Sequence, residues 1–431
     1  MLNSRIARRS RHVWLTGSIW NRRIVFIVGA GAVGLAAVLF AVAATYANLG
    51  IHEIIRISPW LPLIITPLGF ALLSWITTRF FPGTQGSGIP QTIAAFSLPG
   101  AEARTRLLSL RIAISKIGLT LAGLLTGASI GREGPTVQVG ASIMHALSRT
   151  ASFPHEGMKR GLILAGGAAG VAAAFNAPLA GVVFAIEEMS RSFEQRTSVI
   201  VLVAVVVAGI VAMVTLGNYA YFGQTTAVLE LRSGWPAVAL CGLTGGLLGG
   251  GFSRVLIALS RSTPEALARL RHARPHVFAG ACGLAVALLG LLSGDTIYGT
   301  GYEETRAILD GADAVQVTFG PLKLLATIAS YASGIPGGIF SPSLAIGAGF
   351  GYDISLLLPQ VPLGGVVTLG MVGYFSGVVQ APITAFVIVT EMTRNADMAL
   401  PLMACSLIAY GFSRLVCSKP IYKALAEQFK Q

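Results

Sequence analysis

Residues 131–140 read GREGPTVQVG and residues 338–347 read GIFSPSLAIG. Both follow one pattern, G-x-x-x-P-x-x-x-x-G, and they begin 207 residues apart (131 to 338). A second pair lies downstream. In NAPLAGVVFAIEE, Pro178 precedes Glu187 by nine residues, and in QAPITAFVIVTEM, Pro382 precedes Glu391 by nine, at an offset of 204 (178 to 382). Upstream, GSGIP (86–90) has a fainter echo in GTGYE (299–303). An ordered set of landmarks at a near-constant offset reads as a duplication. The expected halves are about residues 24–222 and 235–420, behind a basic segment 1–23. Duplications of this kind are typical of transporters, whose substrate site lies at the bilayer midplane between the halves. The pattern alone does not say whether the halves are inverted.

Composition gives the medium. The chain has 431 residues, of which 54% are hydrophobic and 11% charged, with 52 Gly and 20 Pro, and its mean hydropathy is +0.72. Ile24–Ala47, Val199–Leu216, Val277–Leu292 and Val366–Thr390 approach or exceed the ~20 apolar residues that a helix needs to cross a bilayer. So much Gly and Pro is tolerated in membrane helices where neighbouring helices satisfy the backbone. The expectation is an all-α, multi-pass membrane protein. Its net charge of +13 is mostly topology. Arg5, Arg8, Arg9, Arg11, Arg22 and Arg23 lead the first apolar run, which is too long for a signal peptide. Arg261, Arg269, Arg271 and Arg274 share a loop, and Arg414, Lys419 and Lys423 flank the C-terminus. The positive-inside rule places all three regions, and so both termini, in the cytoplasm.

Other chemistries are poorly served. The basic residues are not interleaved with aromatics as nucleic-acid binding would require. Cys241, Cys282, Cys405 and Cys417 stand apart in apolar surroundings and read as buried thiols. The six His form no metal-ligand spacing, so no metal or cofactor is expected. Gly29-x-Gly31-x-x-Gly34 follows a strand-like run and imitates a dinucleotide fingerprint. Its continuation, LAAVLFAVAATYA, is apolar all round. A helix of that kind sits in lipid, and its glycines are expected to be packing surface.

The Gly/Pro landmarks then acquire a purpose. Proline suits the first turn of a helix, and glycine before it allows a tight turn or a close approach. Several such starts fall between stretches too short to cross the bilayer singly. They predict broken helices whose N-termini lie within the membrane. Exposed amides at the positive end of a helix dipole form an anion site without any full charge, and hydroxyls such as that of Ser87 add donors. Glu133 sits at one of these starts. Ionised, it would compete with a mobile anion for the same amides, and protonated, it would lose that attraction. A salt bridge to Arg132 is the plainer reading, but sequential residues on a helix do not face each other well. Glu187 and Glu188 are intramembrane acids, functional by default, unless they mark a helix end facing water.

GSGIP (86–90), GREGP (131–135), FNAPLAGVVFAIEEM (175–189), GGIFSPSLAIGAGFG (337–351) and KPIY (419–422) resemble, in order, the signature segments of the CLC family of chloride channels and proton-coupled chloride transporters. The resemblance covers nearly the whole chain. It implies many tilted and broken helices in two inverted structural repeats. It also implies a homodimer with one ion pathway per subunit in the cell (inner) membrane. By the same resemblance Ser87 and Tyr422 bind the central anion through their hydroxyls, and Ile339 and Phe340 through backbone amides. Glu133 is the gating glutamate at the outer anion site. Glu188 is the inner glutamate that receives protons, with Glu187 beside that path. Lys116 lends electrostatic support.

Some features depart from the family. Gln91 and Ile93 stand where some relatives carry acids, so a role for acids there is not expected. The chain ends nine residues after Tyr422, so the paired cytoplasmic regulatory domains of many eukaryotic relatives are expected to be missing, and a bacterial-type protein is favoured. Serine at position 87 points to chloride or bromide. The expected function is chloride/proton antiport, with chloride and protons as the partners. A passive chloride channel of the same fold is the alternative, which the acid at Glu188 disfavours. A membrane enzyme or an organic-solute transporter would need a nucleophile–base set, a metal motif or a larger polar lining, none of which is apparent.

Overall fold

The structure, a computed structural model, describes residues 17–150, 153, 155–190, 195–261, 273–311 and 317–430. Arg5, Arg8, Arg9, Arg11, Arg269 and Arg271, on which part of the topology expectation rests, lie outside the described residues. The described chain is built of helices. The first set is α1 (Gly17–Ile57), α2 (Pro62–Phe80), α3 (Ile89–Ser97), α4 (Ala101–Leu107), α5 (Leu110–Leu125), α6 (Glu133–Thr150), α7 (Glu156–Phe175), α8 (Pro178–Phe184) and α9 (Gln195–Leu216). The second set is α10 (Leu231–Arg261), α11 (Pro275–Ser293), α12 (Tyr302–Leu309), α13 (Phe319–Ala332), α14 (Phe340–Leu357), α15 (Leu363–Val379), α16 (Pro382–Thr393), α17 (Ala399–Val416) and α18 (Ile421–Ala426). Among the described residues, eight helical segments are long and apolar enough to cross a bilayer. Leu39, Val214, Leu292 and Leu415 are among the large apolar side chains left exposed on these helices, as a lipid-facing surface requires. The protein is a multi-pass membrane protein.

One expected span is not continuous. Val366–Thr390 divides into α15 and α16 at Gln380-Ala381-Pro382. Gln380 is left-handed at φ 56°, which ends α15, and proline opens α16. The Gln380 side chain stabilises this turn by donating from Nε2 to Cys417 O at 2.6 Å and to Ser413 Oγ at 3.0 Å. The break between α7 and α8 is built alike, with Asn176 at φ 52° donating from Nδ2 to Tyr219 O at 2.9 Å. Both breaks are visible in the sequence as N-A-P and Q-A-P. A window of apolar residues hides them because the long apolar runs on either side outweigh the few polar residues at the break.

The helices approach closely where glycines face each other. A methyl group at Gly140 on α6 would strike Gly166 O on α7, and one at Gly166 would strike Gly140 O. Gly347 on α14 and Gly370 on α15 meet in the same reciprocal way. Small residues let backbones touch, which replaces the hydrophobic driving force that lipid does not supply. In the dinucleotide-like run, Gly29 packs on Met144 and Leu147, and Gly34 on Ala208. Gly31 faces open space, so only two of the three glycines are packing surface. Cys241, Cys405 and Cys417 are buried free thiols, while Cys282 is only partly buried.

Three contacts come in matched pairs across the landmarks. Gly131 N–H donates to Gly338 O, and Gly338 N–H to Gly131 O, both at 2.7 Å. The buried ammonium of Lys116 donates to Thr84 O and Gly86 O at 2.7 and 2.6 Å. The buried ammonium of Lys323 does the same to Ile297, Tyr298 and Gly299 carbonyls at 2.8–3.2 Å. Glu187 accepts from Ile383 N–H and Thr384 N–H at the start of α16, at 3.1 and 2.6 Å. Glu391 accepts from Leu179 N–H and Ala180 N–H at the start of α8, at 3.1 and 2.7 Å. In the glycine and glutamate pairs each member does to the other what the other does to it, the signature of an isologous, twofold contact, while each lysine repeats within its own half what the other does in its half.

Candidate functional site

The turn at residues 83–88 comes first. Gly86 is held by Ile335 and Gly337, donating to Ile335 O at 3.2 Å and accepting from Gly337 N–H at 2.9 Å. Lys116 fixes it from below through the two carbonyl bonds given above. Lys116 is therefore a buried clamp on this turn, with two of its three donors directed to backbone carbonyls. Gly88, at φ 99°, turns the chain into α3, which starts at Ile89 with no side-chain cap. Ser87 is trapped between these points and is buried. It lies against α6 so closely that a Cβ at Gly134 would collide with Ser87 Oγ.

The Gly131–Gly338 pair brings the starts of α6 and α14 together. Ile339 is the N-cap of α14, with no side-chain cap of its own. The first amides of a helix have no carbonyl one turn back to bond. The Phe340 ring is wedged 4.9 Å from Phe175 and 4.3 Å from Phe375, which fixes the backbone beneath it. Tyr422 is buried in the first turn of α18 behind Pro420, and α18 packs on α3. Its phenol neighbours the Ser87 hydroxyl and is within electrostatic reach of both Glu188 and Glu133. At hydrogen-bond geometry neither Ser87 Oγ nor Tyr422 Oη has a partner among the described residues.

Glu133, the first residue of α6, is 1% exposed. Its Oε1 accepts from Tyr221 Oη at 3.3 Å and lies 3.7 Å from Arg132 Nε. Arg132 thus reaches its neighbour, though beyond hydrogen-bond distance. Oε2 folds back over Gly131 and has no partner, like the nearby Ser341 Oγ. Buried polar oxygens normally find a partner. Here Ser87 Oγ, Tyr422 Oη, Glu133 Oε2 and Ser341 Oγ all lack one, around the starts of α3, α6, α14 and α18. What such a cluster can do chemically is hold a desolvated anion between hydroxyls and helix amides, in competition with a carboxylate.

Beyond Glu133 is a cavity of about 440 Å³ lined by Arg132, Tyr219, Tyr221, Tyr302, Glu303 and Asn48. Arg132 lies with Cζ 5.8 Å from the centroid of the Tyr221 ring. That ring packs on Phe175, Phe222 and Tyr302. Tyr221 was not a sequence candidate. The signal was the YAYF run at 219–222 after the last apolar stretch of the first half, where a buried phenol needs an acceptor.

Glu188 is buried, on a π-turn (Ala185–Ser190) that continues α8. It does not face water as the plainer reading allowed. Glu187, expected beside a proton path, caps α16 with both carboxylate oxygens. Among the described residues, no group of three or more His, Cys, Asp or Glu side chains gathers to hold a metal ion.

The family model described as "Voltage gated chloride channel" matches residues 69–414. The chain is 32% identical over 421 residues to the H(+)/Cl(-) exchange transporter ClcA of Vibrio vulnificus (strain YJ016), covering 91% of this chain and 87% of that one. It is 30% identical over 393 residues to the protein of the same name from Yersinia pestis bv. Antiqua (strain Angola), covering 84% and 78%. Among solved structures it is similar to a slow cyanobacterial Cl−/H+ antiporter, with 27% identity, a TM-score of 0.80 and coverage of 94% and 97%. A eukaryotic CLC transporter shares the fold, with a TM-score of 0.75 at 21% identity, over 94% of this chain and 74% of that one.

Proposed function

Because the chain belongs to the voltage-gated chloride channel family, we propose that it exchanges chloride for protons across the cell (inner) membrane. The observation that carries this reading is the cluster of buried, unpartnered oxygens beside Glu133. In it, Ser87 and Tyr422 donate their hydroxyl protons to a central chloride, and the amides of Ile339 and Phe340 donate from the start of α14. Glu133 is the gate, and its carboxylate stands in for an anion at the outer position. Glu188 takes up protons from the inner side, with Tyr422 between the two acids. Lys116 does not touch the anion, because its ammonium donates to the turn at residues 84–86, and it lends electrostatic support only from a distance. Binding by partial charges alone is favourable enough to strip water from chloride and weak enough to release it.

The matched contacts about Gly131–Gly338 and between α8 and α16 support two inverted repeats, about 24–222 and 235–420. Arg22, Arg23, Arg274 and Lys419 support cytoplasmic termini under the positive-inside rule. The unit is a homodimer with one pathway in each subunit, acting without a cofactor and without covalent catalysis. The test is reconstitution in liposomes with chloride and pH recorded together. An imposed chloride gradient should drive protons uphill. Chloride flux with no proton movement would leave a passive channel.

Two further results are expected. Ser87→Ala and Tyr422→Phe each remove one donor from a desolvated anion, a loss of about 1–3 kcal/mol, so chloride affinity in isothermal titration should fall about tenfold in each. Unchanged affinity in both variants would remove these residues from the site. Tyr221→Phe removes the hydroxyl that holds Glu133 Oε1. A bond of 3.3 Å to a carboxylate contributes about 1 kcal/mol, so the gate should open more readily and flux should rise several-fold with coupling kept. A slower Tyr221→Phe variant would mean that the phenol serves the open state instead.

A further inference from the structure

A second polar cluster sits at the other end of α6, with His145 twelve residues from Glu133, about 18 Å along the helix. Arg104 on α4 is 1% exposed. Its Nε donates to Leu98 O at 3.0 Å and its Nη1 to Glu156 Oε2 at 2.9 Å. Its Nη2 has no partner among the described residues. His145 is 2% exposed, and its Nε2 lies 3.1 Å from Thr105 Oγ1. That hydroxyl gives its single hydrogen to Ala101 O at 2.8 Å. Nε2–H is therefore the donor to Thr105, and Nδ1 is left as an acceptor with no partner.

Both orphaned groups belong to residues lining a cavity of about 300 Å³, together with Ser148, Arg149, Phe153 and Lys159. Three cations face it, and one carboxylate, Glu156, binds two of them, Arg104 and Lys159, at 2.9 Å each. Positive charge remains in excess. The start of α7, which also has no side-chain cap, adds to it. Arg149 alone could be explained as a cation complementing the C-terminal end of α6. That does not account for a buried guanidinium nitrogen without an acceptor, a costly arrangement unless a ligand supplies one. A second cavity, of about 470 Å³, shares His145 and Arg149 and runs past Leu108 and Leu110. Leu110 and Ile114, one turn apart, are exposed on the same face of α5. The polar cavity thus communicates with an apolar surface of the kind that meets lipid.

We propose that this cavity binds the phosphate-bearing, hydroxylated headgroup of an anionic membrane lipid. Arg104 Nη2, Arg149 and Lys159 donate to the phosphate oxygens, a headgroup hydroxyl donates to His145 Nδ1, and the glycerol end leaves past Leu110. A soluble phosphate ester offers the same chemistry without the apolar end. The site is separate from the chloride pathway, so its test does not depend on transport.

Full-length protein in neutral detergent, titrated with dioleoylphosphatidylglycerol and followed by native mass spectrometry, should take up one lipid per subunit saturably. Arg104→Lys keeps the charge but loses the planar fork, and should weaken binding about tenfold. Arg149→Gln, altering an exposed side chain that leaves the fold alone, should weaken it several-fold. Arg414→Gln, a basic change elsewhere, should have no effect. Wild-type-like binding by both Arg104→Lys and Arg149→Gln, or equal weakening by Arg414→Gln, overturns the site in favour of general charge attraction. No saturable uptake by the wild type also overturns it. Glycerol 3-phosphate should not displace the lipid, and displacement by it, lost in Arg104→Lys, would overturn the lipid assignment in favour of a soluble ester.

Discussion

Glu133→Ala in liposomes is expected to conduct chloride and move no protons. The substitution deletes the carboxylate but leaves the proposed anion-binding groups, the backbone amides and the hydroxyls of Ser87 and Tyr422. Chloride should occupy the space that Oε1 and Oε2 vacate, more readily than in Glu133→Gln, whose amide still fills it. The loss of coupling should be complete rather than partial. Among the described residues no other acid is buried at that position, and Arg132 and Tyr221 carry no proton that cycles near neutral pH. The chloride flux should also lose most of its pH dependence. Under an imposed chloride gradient the wild type drives protons against theirs and the variant does not. Retained tight coupling would falsify the gate. Loss of all chloride flux in a well-folded protein would mean that Glu133 matters through Arg132, whose Nε lies 3.7 Å away.

The residues that would make up this machinery were largely legible in the sequence, for a physical reason. A site assembled from helix starts must be written in Gly and Pro at fixed places, and GSGIP, GREGP and GGIFSP are such places. Periodicity was of less use, since α1 and α9 are apolar on every side and present no polar face to count. What stayed hidden were contacts that join distant parts of the chain. Glu187 and Glu188 are adjacent and chemically identical, yet one caps a helix 196 residues away and the other is buried beneath the site. Tyr221 lies 88 residues from its acceptor. Lys116 reads as a charge near an anion site, and the structure adds that its ammonium donates to two backbone carbonyls. Pattern reading finds residue types and spacing, and these four roles depend on which partner folding brings within 3 Å or so.

The Glu187–Glu188 pair permits a test in which one acid serves as the control for the other. Glu188→Gln is expected to keep chloride flux within severalfold of wild type while proton transport falls below detection. The amide has the same shape but cannot take up a proton, and the proposed chloride site at Ser87 and Tyr422 is unaltered. Glu187→Gln should behave in the opposite way. Its carboxylate accepts from two amides at the start of α16, and ionised acceptors make the stronger bonds. Replacement by a neutral amide should cost about 1–3 kcal/mol of stability and lower the melting temperature by several degrees. The ratio of chloride to protons should stay at the wild-type value. Glu391→Gln, which breaks the matching cap on α8, should lower stability by a similar amount. Uphill proton pumping by Glu188→Gln would place the inner proton route elsewhere. Altered stoichiometry in Glu187→Gln would show that its carboxylate does more than hold α16, and would return it to the proton path suggested by its position in the sequence.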